Sequence, residues 1–224
     1  MRELNELIEL QEPAWPMVQA WIAAANKPVE ALPRDPARAA EALVKLQVTT
    51  RSVLGAVAWE TAGMLIDSGW IRVLGSGGSR MEESLTTWNH GDAKSECLAV
   101  AYDVLGGVFA LDGGALGHGQ GDAFYFAPDA LDWEQCECTY SGLLQFLLTG
   151  DLEKFYAGSR WPEWRKDVAA LSGDQAFSLS PPLWALDGTD VGRAVRSPAN
   201  ARELFARALE AARKSATDGR ASPT

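Results

Sequence analysis

Histidine is nearly absent from this chain of 224 residues and cysteine is scarce: two of the first, His90 and His118, and three of the second. A Ser–His or Cys–His catalytic pair would have to draw on one of two glycine-flanked loops, Asn89-His90-Gly91 or Gly117-His118-Gly119. No G-x-S-x-G elbow is present to present a serine nucleophile. An odd cysteine count gives no disulfide framework. Cys136-x-Cys138 has neither the spacing nor the second half of a structural zinc site. No apolar run approaches the ~20 residues that cross a bilayer, and the start MRELNELIEL lacks the apolar core of a signal peptide. Positive charge is also in deficit. Lys and Arg number 20 against 30 Asp and Glu, a net charge of −10. That balance opposes a nucleic-acid backbone and suits a basic protein as partner. The expectation is a soluble, cytoplasmic chain with no membrane, nucleic-acid or metal partner. No cofactor is expected either: Gly75-Ser76-Gly77-Gly78 fits no dinucleotide fingerprint and lacks the P-loop lysine.

Apolar material is plentiful, at 47% hydrophobic residues with nine tryptophans, enough for a substantial core. Three short strands with glycine turns stand at the centre: Leu98–Tyr102, Gly107–Leu111 and Asp122–Phe126. Before them, apolar spacing predicts helices over Glu3–Gln11, Pro13–Ala25 and Pro36–Leu46, the last opened by an Asp35 cap and an N1 proline. Pro28 and Pro33 mark a loop. Val48–Glu60, rich in β-branched and small residues, reads as extended. Gly63–Ile66 and Trp70–Leu74 read as a hairpin around Asp67-Ser68-Gly69, and Ser84–Trp88 as a helical turn. After Trp133 the period is helical again. Tyr140, Leu143, Leu144, Leu147 and Leu148 share a face before Gly150, a second helix follows Asp151, and a third opens at Pro162. Gln175–Leu179 reads as an edge strand and Ala199–Lys214 as an amphipathic helix.

Strands in succession without crossover helices favour antiparallel pairing, so the expected class is α+β. Residues 1–195 are expected to form one domain: helical 1–47, sheet 48–134, helical 139–172. A C-terminal helix over 196–214 and a disordered tail over 215–224 complete the expectation.

The candidate site centres on Asp112-Gly113-Gly114, His118 and Asp122. The glycines read either as tight turns bounding a strand or as a loop that wraps a ligand. Asp112, His118 and Asp122 would give an O/N/O set if the loop folds back, for acid–base work or a metal. Alternation puts Phe124 and Phe126 on one strand face and Tyr125 on the other, with Trp133 and Trp161 beyond. These aromatics read as core or as the rim of a groove beside acidic loops. The candidate binding set is therefore Asp112, Gly113, Gly114, His118, Asp122, Tyr125, Trp133 and Trp161, with no catalytic residue assigned. The function expected is a non-catalytic binding module. The alternative is a small-molecule-binding protein or hydrolase-like enzyme using the Asp112-His118-Asp122 loop.

Several runs also carry a family likeness: QEPAWPMVQAWI, LQVTTRSVLGAVAWETAGMLIDSGWIRVLGSG, GGVFALDGGALG, DAFYFAPDALDWE, YSGLLQFLLTGDLEKFY, RWPEW and GDQAFS. Together they resemble an uncharacterised bacterial domain-of-unknown-function family over nearly all of residues 1–190, with the tail beyond Arg193 outside the likeness. No activity comes with that resemblance. At the level of fold, Gly121–Tyr125 followed by YSGLLQFL is similar to the SUKH superfamily, which includes bacterial toxin-immunity proteins. Thr139-Tyr140-Ser141 only approximates the Ser-Phe start of the SUKH helix. That likeness implies a module that neutralises a toxin, often a nuclease with a basic active site.

Overall fold

The sheet starts earlier in the chain and ends later than residues 48–134. The structure is a computed structural model that describes residues 1–90, 97–116, 119–186 and 191–218. Its main sheet has seven strands in sequence order, every neighbour antiparallel. They are β1 (Val29–Pro33), β2 (Thr61–Ile66), β3 (Ile71–Leu74), β4 (Cys97–Asp103), β5 (Val108–Asp112), β6 (Asp122–Ala127) and β7 (Asp132–Thr139). A separate ribbon pairs β8 (Gln175–Ser180) with β9 (Val195–Asn200). The helices are α1 (Leu4–Leu7), α2 (Trp15–Ala23), α3 (Pro36–Leu46), α4 (Val53–Glu60), α5 (Leu85–Trp88), α6 (Tyr140–Thr149), α7 (Leu152–Phe155), α8 (Trp164–Ala169) and α9 (Ala201–Asp218). The class is α+β.

Local chemistry explains several elements. Asp35 accepts from the amides of Ala37 and Arg38, and so starts α3 where the Asp-Pro pair predicts. Asp67, Ser68 and Gly69 all take positive φ and turn β2 into β3. Asp151 caps α7 by accepting from Lys154.

Four expectations fail. Val48–Glu60 is not extended, because Val53–Glu60 is α4, capped by Ser52 Oγ accepting from Gly55. Val53, Gly55, Ala56, Val57 and Ala58 are all buried, so no polar face shows a helical period. Pro28 to Pro33 is not a loop. Val29–Pro33 is β1, at the sheet edge, and Pro33 sits where the register shifts, a place that needs no ladder amide. Residues 196–200 are strand rather than helix. Pro198 fits there because the outer edge of β9 has no strand partner among the described residues. The tail is ordered further than expected, since α9 extends to Asp218, and residues 219–224 lie outside the described residues.

Gly55 has a steric task. A Cβ there would stand 2.0 Å from the Thr49 carbonyl oxygen, so the helix meets the preceding turn at a distance only glycine permits. Gly55→Ala is expected to cost about 1–3 kcal/mol in urea unfolding, overriding the higher helix propensity of alanine. A neutral or stabilising result would contradict this contact.

The register sorts the sheet into two faces. Leu65, Arg72, Tyr102, Val108, Phe126 and Trp133 are cross-strand partners in one row. Trp88 stacks on Tyr102 at 4.6 Å, and Phe205 of α9 meets Phe126 at 5.4 Å, covering this face. Met64, Val73, Ala101, Phe109, Tyr125 and Glu134 form the adjacent row on the opposite face. There Phe155 packs on Tyr125 at 5.2 Å.

Candidate functional site

The expected binding set does not converge. Asp112, Gly113, Gly114 and Asp122 meet at the tip of the β5–β6 hairpin, where the Gly121 amide donates to the Asp112 carbonyl at 2.8 Å. Asp112 is buried, and its Oδ1 accepts from the amides of Gly114, Ala115 and Leu116 at 2.7, 2.9 and 3.2 Å. One oxygen thus organises the turn, a local backbone cap of the kind aspartate makes readily. His118 lies outside the described residues. Among the described residues, no group of three or more His, Cys, Asp or Glu is placed to hold a metal.

The aromatic members go elsewhere. Trp133 packs against Phe126 at 5.4 Å and Phe205 at 6.2 Å, so it joins the sheet to α9. Trp161 is buried, donates Nε1–H to Asp167 at 2.7 Å and touches Trp70 and Phe177. Tyr125 lies on the opposite sheet face from Trp133 and points its hydroxyl inward.

Tyr125 reports a residue that the sequence reading missed. Asp103, fully buried at the end of β4, accepts from the Tyr125 and Tyr156 hydroxyls through Oδ2, at 2.8 and 3.1 Å. Its Oδ1 accepts from the amides of Leu105 and Gly107 at 2.8 and 3.0 Å. Burial pushes the Asp103 carboxyl up from its ordinary pKa, and these four donors oppose the rise. Burial and the adjoining carboxylate push both tyrosines well up, which keeps them protonated donors at neutral pH. Glycine at 107 is required, because a Cβ would fall 2.2 Å from the Tyr125 hydroxyl oxygen.

Beside this clamp opens a cavity of about 360 Å³, lined in part by Leu105, Tyr125, Phe155 and Tyr156, with Asp129 and Glu134 supplying carboxylates. Glu134 belongs to β7, which ends the sheet order and has one backbone edge without a strand partner among the described residues. Asp132, Glu134 and Glu137 on this strand are exposed. Glu137 has φ +52°, and the register shifts between Asp122 and Phe124, so the outer ladder is interrupted. Cys136 and Cys138 are half-buried, and burial pushes the Cys136 thiol up to about 12, well away from a reactive thiolate.

Two buried arginines were also missed. Arg160 Cζ lies 4.8 Å from the Trp70 ring centroid, 4.6 Å from Trp164 and 5.5 Å from Tyr156. It pairs with buried Asp67 at 2.5 Å and with Glu153 at 2.7 Å. Arg72 differs. It is 2% exposed, has no carboxylate within ion-pair distance among the described residues, and donates once, from Nη2 to the Ser172 carbonyl at 3.4 Å. Nε and Nη1 have no acceptor. Burial pushes its pKa down, opposed by the charges of Tyr102, Asp103 and Asp174. Arg72 also lines a cleft of about 570 Å³. The signal was visible: Arg72 is the single charged residue in the strand Ile71–Leu74.

These features define an α+β protein with an acidic sheet edge and a buried aspartate clamp. No nucleophile–imidazole pair is assembled among the described residues, where His90 is exposed and its carbonyl accepts from Arg202. The chain belongs to the family described as "Protein of unknown function DUF2625", whose model matches residues 4–204. The match therefore runs past Arg193, through β9 and into α9, further than the sequence runs alone suggested. The chain is 44% identical to the uncharacterized protein YbfG of Escherichia coli over 186 residues, covering 82% of this chain and 86% of that one. It is 39% identical to an uncharacterized protein of Haemophilus influenzae over 189 residues, covering 82% and 83% respectively. No solved structure matches the chain. Among the described residues, no helix is long and apolar enough to cross a membrane.

Proposed function

We propose that this protein is a non-catalytic binding module that docks a basic protein on the acidic edge of its sheet. The observation that supports this reading is β7, a terminal strand whose outer backbone edge has no strand partner among the described residues, with Asp132, Glu134 and Glu137 exposed. Edge strands invite pairing, and like charges along this one repel a second copy of the same edge. The same charges attract a basic surface, an attraction the net charge of −10 reinforces at longer range. The Glu137 bulge breaks the outer ladder, so side-chain charge contributes more than an added strand. Asp129 and Glu134 extend the acidic surface over the neighbouring cavity. On the SUKH-like reading, the partner class is a toxin with a basic active site.

Capture from a native lysate at low salt, followed by stepwise salt elution, tests this proposal. The expected result is a basic protein that elutes as salt rises, because screening weakens charge-driven association. Glu134→Lys with Glu137→Lys is expected to abolish its capture, and Glu163→Lys, a reversal at the exposed glutamate that precedes α8, to leave it unchanged. Stability should move by no more than about 0.5 kcal/mol in each variant, as for exposed positions generally. Equal loss with all three reversals, or capture indifferent to them, would contradict the site.

A further inference from the structure

We propose that the cleft floored by Arg72 binds a small organic acid with one carboxylate and an apolar body. This site is separate from the β7 edge and does not depend on that reading.

The argument begins with an imbalance. A guanidinium carries five N–H donors. Arg72 places one of them on a carbonyl at 3.4 Å, and its Nε and Nη1 have no acceptor. A buried cation without a paired anion is costly, and each unmade hydrogen bond adds to the cost. Such a group, on the floor of a cleft of about 570 Å³, has the chemistry to take an incoming oxyanion. The planar fork matches a carboxylate in a two-point pair.

The walls narrow the ligand class. Pro28, Val29, Leu65, Val168 and Leu171 give an apolar lining. At the mouth, Ser68 and Ser79 are exposed and line the same cleft. Arg80 there is already held by Glu30 in a two-pronged pair, so Arg72 is the cation without a carboxylate. A single buried positive charge balances one carboxylate better than a phosphate dianion, whose second charge would stay uncompensated beside Glu30. Arg72 pairs across the sheet with Leu65 and Tyr102, and the Tyr102 hydroxyl donates to the Gly173 carbonyl, next in the chain to the Ser172 carbonyl that takes Arg72 Nη2.

Thermal unfolding and calorimetric titration of the full chain test this assignment, with octanoate and benzoate as probes and 1-octanol and inorganic phosphate as comparisons. Tens of millimolar of either carboxylate are expected to raise Tm by about 2–4 °C, and the alcohol and phosphate to do less. Arg72→Met is expected to fold, because apolar replacement of a buried charge is often neutral or stabilising. It should weaken octanoate by about tenfold or more. Ala169→Trp, which fills the cleft from its exposed rim and leaves Arg72 intact, should also remove binding, and it decides the matter if the first variant fails to fold. Absence of carboxylate binding to the unmodified chain overturns the proposal. So does octanoate binding that both variants keep, or a preference for phosphate.

Discussion

Asp103→Ala is expected to lower the free energy of unfolding by about 4 kcal/mol or more, among the largest effects a single substitution can have. Four donors converge on this one carboxyl, and truncation would strand two backbone amides and two tyrosine hydroxyls in the core. The loss is also topological. Oδ1 closes the β4–β5 turn, and Oδ2 ties β6 and the residue after α7 to that turn. Urea unfolding measures it directly, and a cost below about 1 kcal/mol would show the clamp to be incidental.

The same residue sets a pH dependence whose sign follows from the direction of its pKa. Burial holds the folded Asp103 pKa above the unfolded value of about 3.9. Between those two values the folded state binds the extra proton, so stability from this carboxyl is fully present below about pH 4 and is lost as pH rises through the folded pKa. The difference in unfolding free energy between the natural chain and Asp103→Asn isolates this group. It is expected to shrink as pH rises from 4 to 7. A difference that grows with pH would mean that the four donors outweigh burial.

Arg160→Ala is expected to cost about 3–5 kcal/mol, the range for breaking a buried ion pair from one side. Asp67, 7% exposed, would lose the cation it pairs with. The ring faces of Trp70, Trp164 and Tyr156 would lose the guanidinium that lies against them. Because Asp67 opens the positive-φ turn between β2 and β3, the damage should reach the hairpin. Arg160→Lys should recover only part of the stability, since a point charge cannot serve Asp67, Glu153 and the ring faces together. Full rescue by lysine would reduce the site to simple charge pairing.

What could be read from the sequence depended on how far apart the interacting residues lie. Asp35-Pro36 announced α3, Asp67-Ser68-Gly69 announced a hairpin, and the Tyr140 to Leu148 period announced α6, whose face is buried as expected. Each of those signals is local. α4 was hidden because it is buried nearly all round, which erases the contrast that marks a helix. β1 and β9 were hidden by prolines that edge positions tolerate. The site was less legible than the fold. Tyr125 was singled out, but its meaning depends on Asp103, which reads as an ordinary turn residue, and on Tyr156, far along the chain. Asp112 was singled out as a possible ligand group, and its Oδ1 serves the backbone of its own loop. Arg72 was legible as a charge within an apolar strand; the missing acceptors became visible only in three dimensions.

Hydrogen–deuterium exchange on the salt-sensitive complex, compared with the free protein, tests the central claim most directly. Binding at the acidic edge predicts added protection over residues 132–139 and at 129–130, with the hairpin tip at 113–116 and the cleft around Arg72 unchanged. Protection that instead falls on the hairpin tip or the cleft, with β7 exchanging as in the free protein, would contradict the assignment.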